Sequence, residues 1–195
     1  MLRQRHSDLD DLCCIATGYL DDYFFVGTDK FLVDTLFPLL IKNLSQVNLD
    51  VRTDKCELYS FGADVSSMIY NSDMVPKCIP CNQGIIILGV PVGSLEWIRA
   101  ELSKKLSVIR KLCDIIVKLN HPQVAFHLLR MCVSSKLTYF LRTVALDAML
   151  PVAIELDSIV LNCAQRCGFV PDLDSLSDEE RSVVGLPLKL GGMGL

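Results

Sequence analysis

Two apolar segments separated by only two residues constrain the fold of this chain more than any other feature. Residues 12–20 and 23–26 are predominantly apolar, and Asp21 and Asp22 lie between them. Apolar runs joined by two residues are typical of an antiparallel β-hairpin. We therefore expect residues 12–26 to form two buried strands with Asp21 and Asp22 at the tip.

The acidic tip of this hairpin favours a bound cation. Two-residue loops usually contain Asn-Gly or Asp-Gly because they require positive φ, whereas this loop places two mutually repelling carboxylates side by side. Polymerases use two divalent ions, about 3.5–4 Å apart, for nucleotidyl transfer. Mg²⁺ binds few protein carboxylates together with substrate phosphates. A solvated acidic turn is the alternative, and the hairpin residues alone leave both interpretations open.

The pattern of the chain changes near residue 95. Before that point, short apolar runs alternate with turns. They predict a helix at residues 29–46 and short strands at residues 49–51, 56–59 and 85–88.

After residue 95 the pattern is helical. Apolar residues recur at three- and four-residue steps from Ile98 to Leu119, which predicts a helix with one apolar face. Further helices are expected at about residues 122–142 and 148–167, and a capping-box pattern at Ser177 predicts a fourth. The expected fold is α+β, with residues 1–94 forming one part and residues 95–195 a helical part.

Positive charge is concentrated in the helical part. Residues 99–142 contain nine Lys and Arg residues and two acidic residues, a net charge of +7 within a chain whose total is -4. The rest of the chain therefore carries -11. A basic segment in an acidic chain is typical of a nucleic-acid-binding surface, although a solvated cationic face is the common alternative.

Composition and cysteine usage narrow the class of protein. Apolar residues make up 51% of the chain and charged residues 22%, which excludes disorder. The longest unbroken apolar stretch, residues 85–92, is shorter than the ~20 residues of a membrane span. Nine cysteines without a secretory signal indicate free thiols in a reducing compartment. We expect an intracellular protein, cytoplasmic or nuclear, that does not enter a membrane.

Three motifs in a fixed order resemble a known family. They are Tyr19-Leu20-Asp21-Asp22, then Asn48-Leu49 followed after five residues by Lys55-Cys56-Glu57-Leu58, then Leu88-Gly89-Val90-Pro91-Val92-Gly93. This order resembles the third, fourth and fifth palm motifs of the reverse transcriptases of non-LTR retrotransposons. The Tyr-x-Asp-Asp hairpin is fairly specific, and the other two are informative mainly through their order and spacing. The helical part resembles the family's thumb more loosely.

The resemblance implies an activity and roles for individual residues. The activity is RNA-directed DNA synthesis by a two-metal mechanism, using Mg²⁺ (or Mn²⁺), deoxynucleoside triphosphates and an RNA or DNA template with a primer strand. Asp21 and Asp22 would bind metal and Lys55 would act as a general acid, although a solvated turn lysine is an equal alternative. The residues implied to hold the primer are Tyr19, Leu88, Gly89, Val90 and Pro91. Those expected to bind nucleic acid are Lys104, Lys105, Arg110 and Lys111.

One departure from the family limits the implied activity. The family's other metal-binding aspartate lies in an upstream strand, and only twenty residues precede Asp21 in this sequence. We therefore expect the chain to be inactive alone, as a truncated gene model, a decayed element or one piece of a longer product. The alternative function is a non-catalytic retroelement remnant or a helical nucleic-acid-binding module.

Overall fold

The structure is a computed structural model that describes residues 14–171, 175–190 and 192–194. The chain divides into two compact units, Met1–Ile85 and Ile86–Leu195, so the division lies at Ile85 and Ile86. Helices predominate and the sheets are small, which confirms the expected α+β class in its broad sense.

The first unit contains the expected hairpin. Strand β1 (Cys14–Tyr19) pairs antiparallel with β2 (Asp22–Gly27), and Tyr19 lies opposite Asp22. The two-residue loop is therefore Leu20-Asp21, and the prediction that Asp22 belongs to the loop is wrong. Residues 12 and 13 of the predicted hairpin lie outside the described residues.

The hairpin strands are exposed, so the prediction that they are buried is wrong. Ile15 and Val26, which lie opposite each other, are 63% and 68% exposed. A continuous apolar run is typical of a strand that other elements cover, but in the described part of the chain this sheet has two strands only. Phe24 and Phe25 are half-buried.

A helix broken by one π-helical turn follows the hairpin, as the sequence predicts. It consists of α1 (Asp29–Phe31), a π-helical turn (Leu32–Leu36) and α2 (Phe37–Ser45). Pro38 has no N–H to donate to the carbonyl four residues earlier, and the Phe37 N–H instead bonds to Leu32, five residues back. Proline chemistry thus accounts for the π-helical turn.

The rest of the first unit differs from its prediction in topology. The strand expected at residues 49–51 does not form, because Asn48 adopts positive φ after the helix and the chain continues without a strand partner. Strand β3 (Glu57–Tyr59) forms as predicted, but pairs in parallel with β4 (Lys77–Ile79). A small core of Val33, Leu58 and Val65 lies beneath these elements.

A short hairpin precedes the helices of the second unit. Strands β5 (Gly84–Ile87) and β6 (Val90–Gly93) pair with each other, and the division between units falls within β5. The helices are α3 (Leu95–Val117), α4 (Pro122–Leu128), α5 (Thr138–Thr143), α6 (Leu146–Arg166) and α7 (Asp178–Gly185). A π-helical turn, Leu129–Val133, follows α4. The single helix predicted for residues 122–142 is therefore two helices.

The core of the second unit lies between α3 and α6. Leu102, Leu106, Ile109 and Ile116 of the predicted apolar face are buried on α3, together with Cys113. Residues of α6 complete the same cluster, among them Val152, Leu156, Val160 and Cys163. The predicted capping box is also present, since Ser177 and Glu180 bond reciprocally at the start of α7. Among the described residues, no helix combines the length and apolar character that crossing a membrane requires.

Candidate functional site

The hairpin presents its carboxylates to solvent. Asp21 lies in the loop, Asp22 begins β2, and both are exposed. Tyr19 lies directly opposite Asp22 and is 59% exposed, so the two side chains share one face of the hairpin. On the other face the Tyr23 ring lies against Gly18, where an added Cβ would come within 3.2 Å of it. The hairpin can offer two carboxylates and a phenol to a ligand.

The conformation of Leu20 was not foreseen from the sequence. Its φ is +56°, and its side chain is 83% exposed. The φ of Asp21 is not positive, so the loop has the pattern of a type II′ turn. Glycine is the preferred residue at the first position of such a turn. A left-handed leucine costs about 1–2 kcal/mol, and this strain sits at the tip that carries Asp21.

Lys55 lies on a separate turn of the same unit. It ends a 3₁₀ turn, Thr53–Lys55, and is exposed. On that turn Arg52 donates two hydrogen bonds to the Asp54 carboxylate, at 2.9 and 2.8 Å, and the bonded guanidinium lowers the pKa of Asp54. No ion pair joins Lys55 to Asp21 or Asp22 among the described residues.

The expected primer-holding residues form a tight turn in the second unit. Leu88 and Gly89 connect β5 to β6 with φ values of +48° and +84°. Two consecutive positive φ values indicate a type I′ turn, in which Asn-Gly is the preferred pair. Leu88 is therefore a second leucine in a left-handed conformation. Beyond the turn, Val90 and Pro91 are buried.

Two features of this turn were missed from the sequence. Tyr139 of α5 donates a hydrogen bond of 3.1 Å to the Leu88 carbonyl, fifty-one residues away along the chain. The turn also borders a shallow depression of about 150 Å³. Its lining residues are Ile86, Gly89, Pro91, Glu101, Leu102, Lys105 and Phe140. Residues predicted to hold a primer, Gly89 and Pro91, thus lie beside Lys105, a residue predicted to bind nucleic acid.

The four expected nucleic-acid-binding cations are exposed on α3, but they differ in their partners. Lys104 pairs with Glu101 on the same helix, and Arg110 pairs with Glu155 of α6. Within the part of the chain that the structure describes, Lys105 and Lys111 form no ion pair. These two are therefore the cations most readily available to a phosphate.

Nothing in the described residues forms a complete metal centre from the protein alone. No group of three or more His, Cys, Asp or Glu side chains is arranged to hold an ion there. The carboxylates of Asp21 and Asp22 would fit Mg²⁺ only in combination with ligands from outside this group, such as substrate phosphates. Comparison with protein-family models, curated proteins and solved structures finds no match for the chain.

Proposed function

We propose that this chain contributes the acidic hairpin, the primer-holding turn and the thumb-like helices of an RNA-directed DNA polymerase. The observation that carries the proposal is the exposed Asp21 at the tip of an antiparallel hairpin, preceded by the strained Leu20. Backbone strain is retained where the surrounding structure or function requires it. A solvated acidic turn has no such requirement.

The exposed hairpin strands also favour this proposal. A two-stranded hairpin is marginal in water, and Ile15, Tyr19 and Val26 leave apolar surface uncovered. In a polymerase palm such a hairpin belongs to a larger sheet, which brings a further carboxylate beside Asp21. On this proposal the missing ligand comes from polymerase sequence outside the described residues, and the isolated chain does not extend a primer.

Metal binding by the chain itself provides a first experiment. Mn²⁺ is paramagnetic, so its binding at the hairpin broadens the amide resonances of residues 18–23. Asp21→Asn removes one ligand charge and should abolish that broadening, while Asp50→Asn, which changes another exposed aspartate of this unit, should leave it intact. Equal broadening in the Asp21→Asn variant would exclude Asp21 as a ligand.

Primer extension tests the activity. The purified 195-residue chain should show none. In a longer polymerase that contains this segment, Asp21→Asn should abolish extension without loss of duplex binding, because a ligand carboxylate stabilises the transition state by several kcal/mol, about 10²-fold or more in rate. Robust extension by the 195-residue chain would refute the expected inactivity. Normal activity of the longer variant would refute the role of Asp21.

Nucleic-acid binding without catalysis is the second candidate function, favoured by the unpaired Lys105 and Lys111. Phosphate contacts make binding weaken with salt, with a slope of about -0.9 per neutralised phosphate in log K against log salt for B-form DNA. Replacing Lys104, Lys105 and Lys111 by Gln should make the slope shallower.

Single variants refine that experiment. Lys111→Gln should reduce the slope more than Lys104→Gln, because Lys104 must first leave Glu101. An unchanged slope in the triple variant would show that the cations only solubilise the surface. Duplex binding combined with an Asp21→Asn variant that retains Mn²⁺ broadening would favour the non-catalytic module over the polymerase.

A further inference from the structure

Three cysteines meet where α3 packs against α6. Cys113 lies on α3, Cys163 lies near the end of α6, and Cys167 is the C-terminal cap of α6, one turn after Cys163. Cys113 and Cys163 are 3% and 1% exposed, whereas Cys167 is half-buried. All three are free thiols. The cluster therefore joins two buried sulfurs to one that solvent reaches.

Cys163 is the central sulfur of this cluster. Its Sγ lies 3.8 Å from the carbonyl oxygen of Cys113, to which the thiol donates. The same thiol is in hydrogen-bonding contact with the thiols of Cys113 and Cys167. The α3–α6 core holds the first contact in place across fifty residues of sequence, and the helical turn holds the second.

The contact with Cys163 favours a thiolate on Cys113 over a thiolate on Cys163. The hydrogen bond from Cys163 lowers the pKa of Cys113, and that contact together with burial raises the pKa of Cys163. Burial and the nearby Asp114 carboxylate oppose this lowering of the Cys113 pKa, and Arg166, paired with Asp114 at 2.8 Å, adds to it. Since the thiolate is the nucleophile in disulfide exchange, Cys163 attacks once it has passed its proton to Cys113 across this contact, and Cys113 attacks in the step that follows.

We propose that Cys113, Cys163 and Cys167 form a reversible oxidation site that a small-molecule disulfide, such as oxidised glutathione, converts into a Cys113–Cys163 cross-link between α3 and α6. Cys167 attacks the small disulfide and releases one thiol. Cys163 then attacks the Cys167 sulfur and releases the second thiol. Finally Cys113 attacks Cys163, and Cys167 leaves as a thiolate that takes up a proton.

The reaction is balanced without a further reagent. Cys113 and Cys163 together lose two electrons and two protons, and the small disulfide becomes two thiols. The cross-link joins Cys113 to Cys163 and so closes the intervening residues into a loop. This loop restricts the conformations of the unfolded chain. The oxidised protein should therefore melt at a higher temperature than the reduced one.

Peptide mapping of the whole chain tests the proposal. Trypsin places the three cysteines in separate peptides, residues 112–118, 143–166 and 167–181. The protein is treated with oxidised glutathione, alkylated with N-ethylmaleimide and digested without reductant. We expect peptide 112–118 linked to peptide 143–166, and we expect reductant to separate them.

Three variants complete the test. Cys163→Ser should eliminate the cross-link, and Cys167→Ser should slow its formation by about tenfold or more, because the exposed entry thiol is lost. Cys132→Ser, which removes an exposed thiol of the same unit, should change neither. If Cys163→Ser does not fold, the wild-type map still decides. The proposal is overturned if peptide 143–166 links only to peptide 167–181, or if Cys113 and Cys163 are fully alkylated after oxidation.

Discussion

Two leucines at positive φ define the tight turns of this molecule at the scale of single residues. Leu20 and Leu88 occupy turn positions for which glycine and asparagine are the preferred residues. Asn48, the third residue of this kind among those described, is of a type that tolerates the conformation. Apolar turn residues therefore carry strain at both turns.

Relief of this strain should stabilise the protein. Leu88→Asn supplies the preferred type I′ residue and should raise the free energy of unfolding by about 1 kcal/mol. Chemical denaturation of the full chain measures the change. Ile86→Asn changes another exposed position of the same hairpin. It should not raise the free energy of unfolding, because Ile86 lies in a strand and asparagine is disfavoured in strands. A lower midpoint for Leu88→Asn would show that the leucine side chain contributes more than its conformation costs.

The capping box of α7 should make this helix sensitive to acid. The Ser177 N–H and hydroxyl each donate to the Glu180 carboxylate at 2.9 Å, and these bonds lower the pKa of Glu180 below its ordinary value of 4.5. A lowered carboxyl pKa contributes stability above the unfolded pKa and loses it as pH falls through the folded value. Helicity at residues 178–185 should therefore decline below about pH 4.5, as followed by carbon chemical shifts.

Matched variants separate this effect from general acid unfolding. Glu180→Gln should remove the pH dependence of the α7 resonances. Glu179→Gln, one residue earlier and outside the capping box, should retain it. Equal pH dependence in both variants would contradict the role of Glu180.

At the scale of elements, α6 contains a proline that lacks one helical hydrogen bond, and a residue of α3 replaces that bond. Pro151 lies inside α6 and has no N–H for the Asp147 carbonyl. Arg99 of α3 donates a hydrogen bond of 3.0 Å to that carbonyl instead. The proline thus leaves an acceptor that links the two main helices of the second unit.

A double-mutant cycle should detect this link. Pro151→Ala restores the helical hydrogen bond and should stabilise the chain by up to about 3 kcal/mol, whereas Arg99→Gln should cost about 1 kcal/mol. In the Pro151→Ala background the cost of Arg99→Gln should become smaller, with a coupling of about 0.5 kcal/mol or more. Arg142→Gln, a change of an exposed cation on α5, serves as the control. If the effects of Pro151→Ala and Arg99→Gln on the free energy of unfolding are strictly additive, Arg99 does not compensate for Pro151.

At the scale of the whole molecule, we expect the second unit to be more stable than the first. The second unit has a continuous core between α3 and α6, whereas the buried cluster described in the first unit contains three residues, Val33, Leu58 and Val65. Few buried contacts and an exposed backbone lower the free energy of local opening.

Hydrogen exchange of the full chain measures this difference. Amides of β1 and β2 should exchange with opening free energies of about 0–2 kcal/mol, and those in the middle of α3 and α6 should approach the global value. Protection of the hairpin equal to that of α3 would mean that the exposed strands are covered in solution. A partner or a second copy would then be sought at that surface.

Local patterns predicted several elements of this fold, and for a clear reason. A capping box, a two-residue loop between apolar runs and an apolar face at helical spacing each lie within a few residues of sequence. The hairpin, the α3 face and the start of α7 were therefore predictable.

Tertiary structure alone decided the contacts between distant parts of the chain. The parallel pairing of β3 with β4, the Glu155 partner of Arg110 and the Tyr139 bond to Leu88 all depend on the path of the chain. The exposure of the hairpin also depends on tertiary structure, because an apolar run shows which side chains another element could cover and not which element covers them. Packing likewise brought Cys113 to Cys163, because helices that are remote in sequence meet wherever their apolar faces can be buried together.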